Sequence, residues 1–252
     1  MSDIMRVELI SHTMEPELIC AIAARACTSE TIPEGGAHTM DKDMEASLEK
    51  ALRAALSSNH ESIAEHAIFC FAISGVSRVL ETQLVRHRIG VSYSIQSGRY
   101  NARDPTNLVI PILSLMTPEL DQQIENFMIE LTRLDDMMKS MGIEAEDRRY
   151  FYPQGLKTNI VCTVNARELR HMAGERMCSR AQQELRELVT EMVRQAREVA
   201  PTLFEDAGPK CKKLRYCPET RGSCGRFPSL YVLGEEYRIG ETKKRPCKEE
   251  SE

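Results

Sequence analysis

The chain of 252 residues is long enough to bury one sizeable core, and its 42% hydrophobic and 28% charged residues are an ordinary globular balance. A formal net charge of -5 argues against general nucleic-acid binding, and no apolar run approaches the ~20 residues of a membrane helix. Nine scattered cysteines argue against a secreted disulfide framework, and the opening MSDIMRVELIS has no signal-peptide pattern, so a reduced cytoplasm is the expected compartment.

Residues 5 to 11 alternate as a strand does, and 16 to 27 carry the helix-like stripe Leu18, Ile19, Ile22 and Ala23. A loop with Pro33, Gly35 and Gly36 follows. Met44, Leu48, Leu52 and Leu56 mark a helix over 42 to 57. Residues 66 to 74, HAIFCFAIS, predict a strand, and Val76 to Arg88 a helix with Val76, Leu80 and Leu84 on one side. Pro105 and Pro111 mark irregular chain. Thr117 caps a helix with Pro118 at its first position, the stripe Leu120, Ile124, Phe127, Leu131 and Leu134, and Gly142 at its end. A short helical piece over 143 to 151 stops before Pro153, and Asn159 to Val164 predict a strand. Asn165 with Glu168, then Ser179 with Gln182, have the spacing of helix caps, with a break near Cys178 and a second helix running towards Pro201. The mixture lacks a βαβ rhythm, which predicts an α+β fold: a single domain of helices packed on a small twisted sheet.

A basic island interrupts this acidic chain. QLVRHRIGVSYSIQSGRY, 83 to 100, holds Arg86, His87, Arg88 and Arg99 with no acidic residue between Glu81 and Asp104. Arginines at a helix end are favourable by themselves, at about 0.3–1 kcal/mol each. Here serines and Gly98 follow, letting backbone N–H groups approach a ligand, and Arg99 adds a planar fork suited to phosphate. In NARELRHMAGERMCSR, 165 to 180, Arg167 and His171 share a helix face, and Arg167 in the first turn opposes the dipole unless an anion binds there. A small anionic ligand suits this pattern. No G-x-G-x-x-G and no P-loop is present, so side chains must hold any nucleotide. In NHESIAEH, 59 to 66, the two histidines are six apart and cannot ligate one metal from a single helix, which sets a zinc protease aside.

The stretch QLVRHRIGVSYSIQSGRY resembles the signature of flavin-dependent thymidylate synthases, with an eight-residue spacer before Ser97. HESIAEH, DRRYFYPQ and TVNARELRHMAGERMCSRAQQELR resemble further family blocks in the same order. The resemblance spans roughly residues 5 to 207. It implies a transferase that methylates dUMP to dTMP, with methylenetetrahydrofolate as carbon donor and NADPH as reductant through FAD. It also implies a homotetramer with an active site built from several subunits. Carried over, Arg86, His87 and Arg88 would contact FAD, with Ser62 reaching the FAD of another subunit and Asn165, Arg167 and His171 completing the flavin site. Gln83, Arg86, Gln96, Ser97, Gly98, Arg99 and Arg149 would bind dUMP. Arg176 would be the catalytic arginine, set against the pyrimidine ring. Ser97 is read as a phosphate ligand rather than a nucleophile, because no activating base is apparent. A nucleotide sensor without catalysis and an RNA-binding protein are the competing classes; neither nucleic acid nor membrane is the expected partner.

The catalytic domain is read as 1–207 and residues 208–252 as a polar, cysteine-containing extension. Separations among Cys211, Cys217, Cys224 and Cys247 are wider than zinc knuckles, and Cys178 resembles a buried structural thiol. Free thiols and no metal site are therefore expected.

Overall fold

The computed structural model describes residues 5–30, 42–99, 103–111, 117–219 and 222–229. β1 (Arg6–His12) leads into α1 (Pro16–Ala26), then α2 (Lys42–Ser57) and a 3-10 turn over Glu61–His66. β2 (Ile68–Ser77), α3 (Arg78–Leu84) and β3 (Val91–Ile95) follow, then α4 (Pro118–Ser140), α5 (Ala145–Arg148) and a 3-10 turn over Arg149–Phe151. β4 (Lys157–Asn165), α6 (Ala166–Arg176), α7 (Gln183–Val199) and α8 (Lys210–Leu214) complete the described elements. The predicted loop at Pro33, Gly35 and Gly36 lies outside the described residues, as does Cys247.

The α+β reading holds. One four-stranded sheet runs β1-β2-β4-β3 with every neighbour antiparallel. Alternation along the strands decides its inner face. Phe69, Phe71, Ile73 and Val76 of β2 and Ile160, Cys162 and Val164 of β4 are all buried. They pack with Leu169, Met172 and Ala173 of α6 and with Leu185, Leu188, Val189, Met192 and Val193 of α7 in one core. Each fully buried aliphatic or aromatic side chain there contributes roughly 1.5–3 kcal/mol. Phe204, just past α7, seals the edge by meeting Phe69 edge-on at 5.4 Å. Burial pushes the Cys20 and Cys162 thiols up to about 12, so both behave as small apolar groups.

Three elements differ from the sequence reading. The helix expected over Val76 to Arg88 is only Arg78–Leu84, because β2 continues through Ser77. Gly75, at φ 71°, lets the strand bulge between Ile73 and Val76 and stay in the sheet. Ser77 then caps α3, accepting from Leu80 N–H at 3.0 Å while its hydroxyl donates to Glu184 at 2.5 Å. The stretch after His87, for which the sequence reading gave no element, supplies the edge strand β3. Cross-strand pairing of Tyr93 with Cys162 outweighs the weak local signal of alternating serines. Ser179 does not cap α7: that helix starts at Gln183 with Gln182 before it and no side-chain cap.

The described part of the extension, 208–219 and 222–229, is tied to the rest. Lys210 of α8 pairs with Glu175 of α6, and Arg180 pairs with Glu219.

Candidate active site

The strand order puts two clusters at opposite ends of β4. The first forms where Asn165 hands β4 to α6. Its side chain accepts from Glu168 N–H at 2.9 Å, the cap that the sequence signals. Its own N–H donates to Gly90 O at 2.8 Å rather than to the Glu168 side chain. Gly90 has φ +70°, and a Cβ there would stand 2.3 Å from Asn165 Nδ2, so glycine is required twice over.

Freed from capping, the Glu168 carboxylate turns to His87. Arg176 Nε–H donates to His87 Nε2 at 3.0 Å, which leaves the proton on Nδ1 to donate to Glu168 Oε1 at 2.7 Å. His87 is 7% exposed and crosses His171 edge-on at 5.9 Å. One relay thus holds the Arg176 guanidinium from behind and leaves its other nitrogens for a ligand. Burial alone would raise the neighbouring Glu175 carboxyl, but Lys210, and less so His171 and Arg176, hold it below the ordinary glutamate value. Ligand atoms of His87, Glu168 and His171 lie within 4.8 Å of one another. Both nitrogens of His87 are already engaged, so a metal there would have to break its hydrogen bond to Glu168 or to Arg176.

The second cluster lies at the other end of β4. Gln96 N–H donates to Asn159 O at 2.9 Å, six residues from Asn165 and so roughly 20 Å away along the strand. Gly98 faces Arg149, whose Cδ lies 3.5 Å from where a Cβ would sit. Arg149 donates to Glu146 O at 3.0 Å, and Arg99 pairs with the Glu146 carboxylate at 2.5 Å. A cleft of about 430 Å³ opens here, lined by Arg78, Arg103, Arg149, Tyr150, Tyr152 and Gly98 among others. That volume is within the range of small-ligand sites. Arg103 donates to Gln96 O at 2.5 Å; burial, then the charge of Arg78, lowers its pKa.

The expected site residues therefore separate. His87, Asn165, His171 and Arg176 converge at one end; Gln96, Ser97, Gly98, Arg99 and Arg149 gather at the other. Arg86 and Arg88 follow α3 rather than ending it, are exposed, and form no ion pair among the described residues. Gln83 donates to Gln182 at 2.6 Å. Ser62 is exposed on the 3-10 turn, and Arg167 beside it pairs with Glu65. That glutamate offsets the Arg167 charge at the helix start. Sequence reasoning missed Glu168 as the brace of His87, although its spacing from Asn165 singled it out as a cap. Arg78 and Arg103 carried no local signal.

Comparison with known proteins agrees with the resemblance. The family model Thy1, thymidylate synthase complementing protein, matches residues 8–202. A flavin-dependent thymidylate synthase of Geobacter sulfurreducens is 40% identical over 238 residues, spanning 93% of this chain and 100% of that protein. The Clostridium tetani protein of the same description is 37% identical across 90% of this chain and 95% of its own length. A crystal structure of thymidylate synthase X from Helicobacter pylori with FAD and dUMP superposes at a TM-score of 0.61 with 25% identity, covering 81% of this chain and 99% of that one. A second structure from that organism, at 22% identity and a TM-score of 0.62, shares the fold.

Proposed function

The chain belongs to the flavin-dependent thymidylate synthase family, and on that premise we propose that it methylates dUMP to dTMP in the cytoplasm as a homotetramer. Methylenetetrahydrofolate supplies the carbon, and NADPH supplies reducing equivalents through FAD. The observation that carries the reading is the His87 relay: a buried imidazole fixes the arginine that matches the family's catalytic position.

Uracil C5 is a weak nucleophile. A guanidinium against the N3 and carbonyl edge of the ring stabilises the negative charge that develops when C5 attacks the folate methylene. Arginine suits this because it stays charged at any working pH. The relay sets its direction before substrate arrives, so no reorganisation is needed at the moment of reaction.

The residues present fit a flavin dinucleotide. Arg86 and Arg88 are exposed cations with no ion pair among the described residues, and the N-terminus of α6 directs backbone N–H groups to the same end of β4. Arg86, His87, Arg88, Asn165, Arg167 and His171 would line that site, with His87 acting chiefly through Arg176. Bound flavin supplies the hydride. Gln83, Gln96, Ser97, Gly98, Arg99 and Arg149 would hold dUMP, with Arg149 and Arg99 as counter-charge to its phosphate.

An oligomeric active site is supported by the roughly 20 Å of strand between Asn159 and Asn165, the β4 positions that anchor the two clusters. One mononucleotide reaches both Arg176 and Arg149 most simply when a neighbouring copy brings its far end of β4 alongside, with Ser62 contributing to that copy's flavin. Ile10, Ile68 and Val161 leave apolar area exposed on the strands for such packing. Tritium release from C5-labelled dUMP, with FAD, NADPH and methylenetetrahydrofolate present, tests substrate, cofactor and reaction together. Release that needs all three supports the proposal. A colourless protein that takes up no FAD and releases no tritium would refute it.

A further inference from the structure

We propose that Cys178, Cys211, Cys217 and Cys224 form a structural site for one zinc ion, which staples the C-terminal extension to the back of α6. The four cysteines come from three separate segments yet line a single cavity of about 30 Å³. That space is far too small for an organic ligand and about right for one ion or water. Four thiol ligands are the donor set of a closed tetrahedral zinc site.

Spacing within the extension alone, C-x5-C-x6-C, hides this arrangement, because the fourth ligand lies in the turn between α6 and α7. Local geometry then closes the ring. α8 carries Cys211. Cys217 N–H donates to Pro228 O at 2.7 Å, which holds the segment 222–229 against Cys217 and sets Cys224 on the cavity. Gly222 and Gly225, at φ 74° and 78°, make the reversals on either side of Cys224.

The thiols are all unpaired by disulfides. Among the described residues no three of them lie within 4.8 Å of one another, whereas zinc–sulfur bonds of about 2.3 Å require sulfurs roughly 3.8 Å apart. Rotation about the Cα–Cβ bonds must therefore draw them inward as the ion binds. The extension has reason to need such a staple. α8 is five residues long, too short to hold itself, and Cys211 and Cys217 are its main buried contacts.

The test is metal analysis of the full-length chain purified under reducing conditions, followed by cobalt titration of chelator-treated protein. About one zinc per chain and thiolate-to-cobalt charge-transfer bands are expected, with sulfur-only coordination near 2.3 Å by X-ray absorption. Cys224→Ser, chosen because Cys224 is exposed and its loss leaves the core intact, should lose the bound zinc, as should Cys217→Ser. Cys27→Ser, at the far end of α1, should retain it. A chelator should lower the melting temperature of the unaltered chain and leave that of Cys224→Ser unchanged. Protein that holds no zinc and takes up no cobalt would overturn the assignment. So would iron with acid-labile sulfide on these cysteines, or zinc retained in full by Cys224→Ser.

Discussion

Gly90→Ala tests the junction that orients the active-site relay. At φ +70° any side chain strains the backbone by about 1–2 kcal/mol. The new methyl would also stand 2.3 Å from Asn165 Nδ2 and 2.7 Å from its Cγ, so the asparagine must leave its place. Its cap on Glu168 N–H goes with it, costing about 1 kcal/mol more. Gly142→Ala is the matched control: φ is +77° but nothing lies within 4 Å, so only the strain remains. Melting temperatures measured side by side at one protein concentration should differ by about 2–4 °C, with Gly90→Ala the lower. In an Asn165→Ala background the clash disappears, and Gly90→Ala should then cost no more than Gly142→Ala does. Equal melting temperatures for the two single variants, or an undiminished penalty in the double variant, would refute the close approach and the relay geometry that depends on it.

Four other outcomes are expected. Arg176→Ala should abolish tritium release while the protein stays yellow; Arg176→Lys should not restore it, because lysine has no counterpart to the Nε–H that His87 accepts. Arg88→Ala should weaken FAD binding, read by flavin fluorescence, without unfolding the chain, since Arg88 is exposed. Mixing inactive Arg176→Ala with inactive Arg149→Ala under subunit exchange should recover part of the activity if neighbouring copies complete each other's sites, and none if each chain is self-sufficient. Burial would raise the carboxyls of Asp135, Glu175 and Asp206, but Lys139, Lys210 and Arg170 hold all three below their ordinary values. Their contribution is full above about pH 5 and fades as pH falls through the lowered folded values, so melting temperature should drop below about pH 4 even at high protein concentration.

Long apolar stripes were legible in the sequence: α2 and α4 stand where Leu48 and Leu52, and Leu131, put them. The Asn165 cap was legible because capping chemistry is local. β3 was not, because Ser92 and Ser94 carry little strand preference and only the exposed edge of β4 recruits them. The boundary between β2 and α3 was lost to a glycine bulge, which inserts residues without disturbing the apolar pattern on either side. Motif matching assigned the site residues to flavin and to dUMP; their placement at two ends of β4 follows from the strand order β1-β2-β4-β3, which no local pattern encodes. Cys178 went unlinked to the later cysteines for the same reason: more than thirty residues of helix and turn lie between them.

The separation of the clusters along β4 has a genetic corollary. On the proposed assembly, a gene copy altered at Arg149 and Arg176 together would be worse than silent. Each of its products would spoil the half-sites of healthy neighbours as well as its own, so a minority of such chains in a cell should depress thymidylate output beyond their share. Dominance of that kind is unavailable to an enzyme whose every protomer is self-contained.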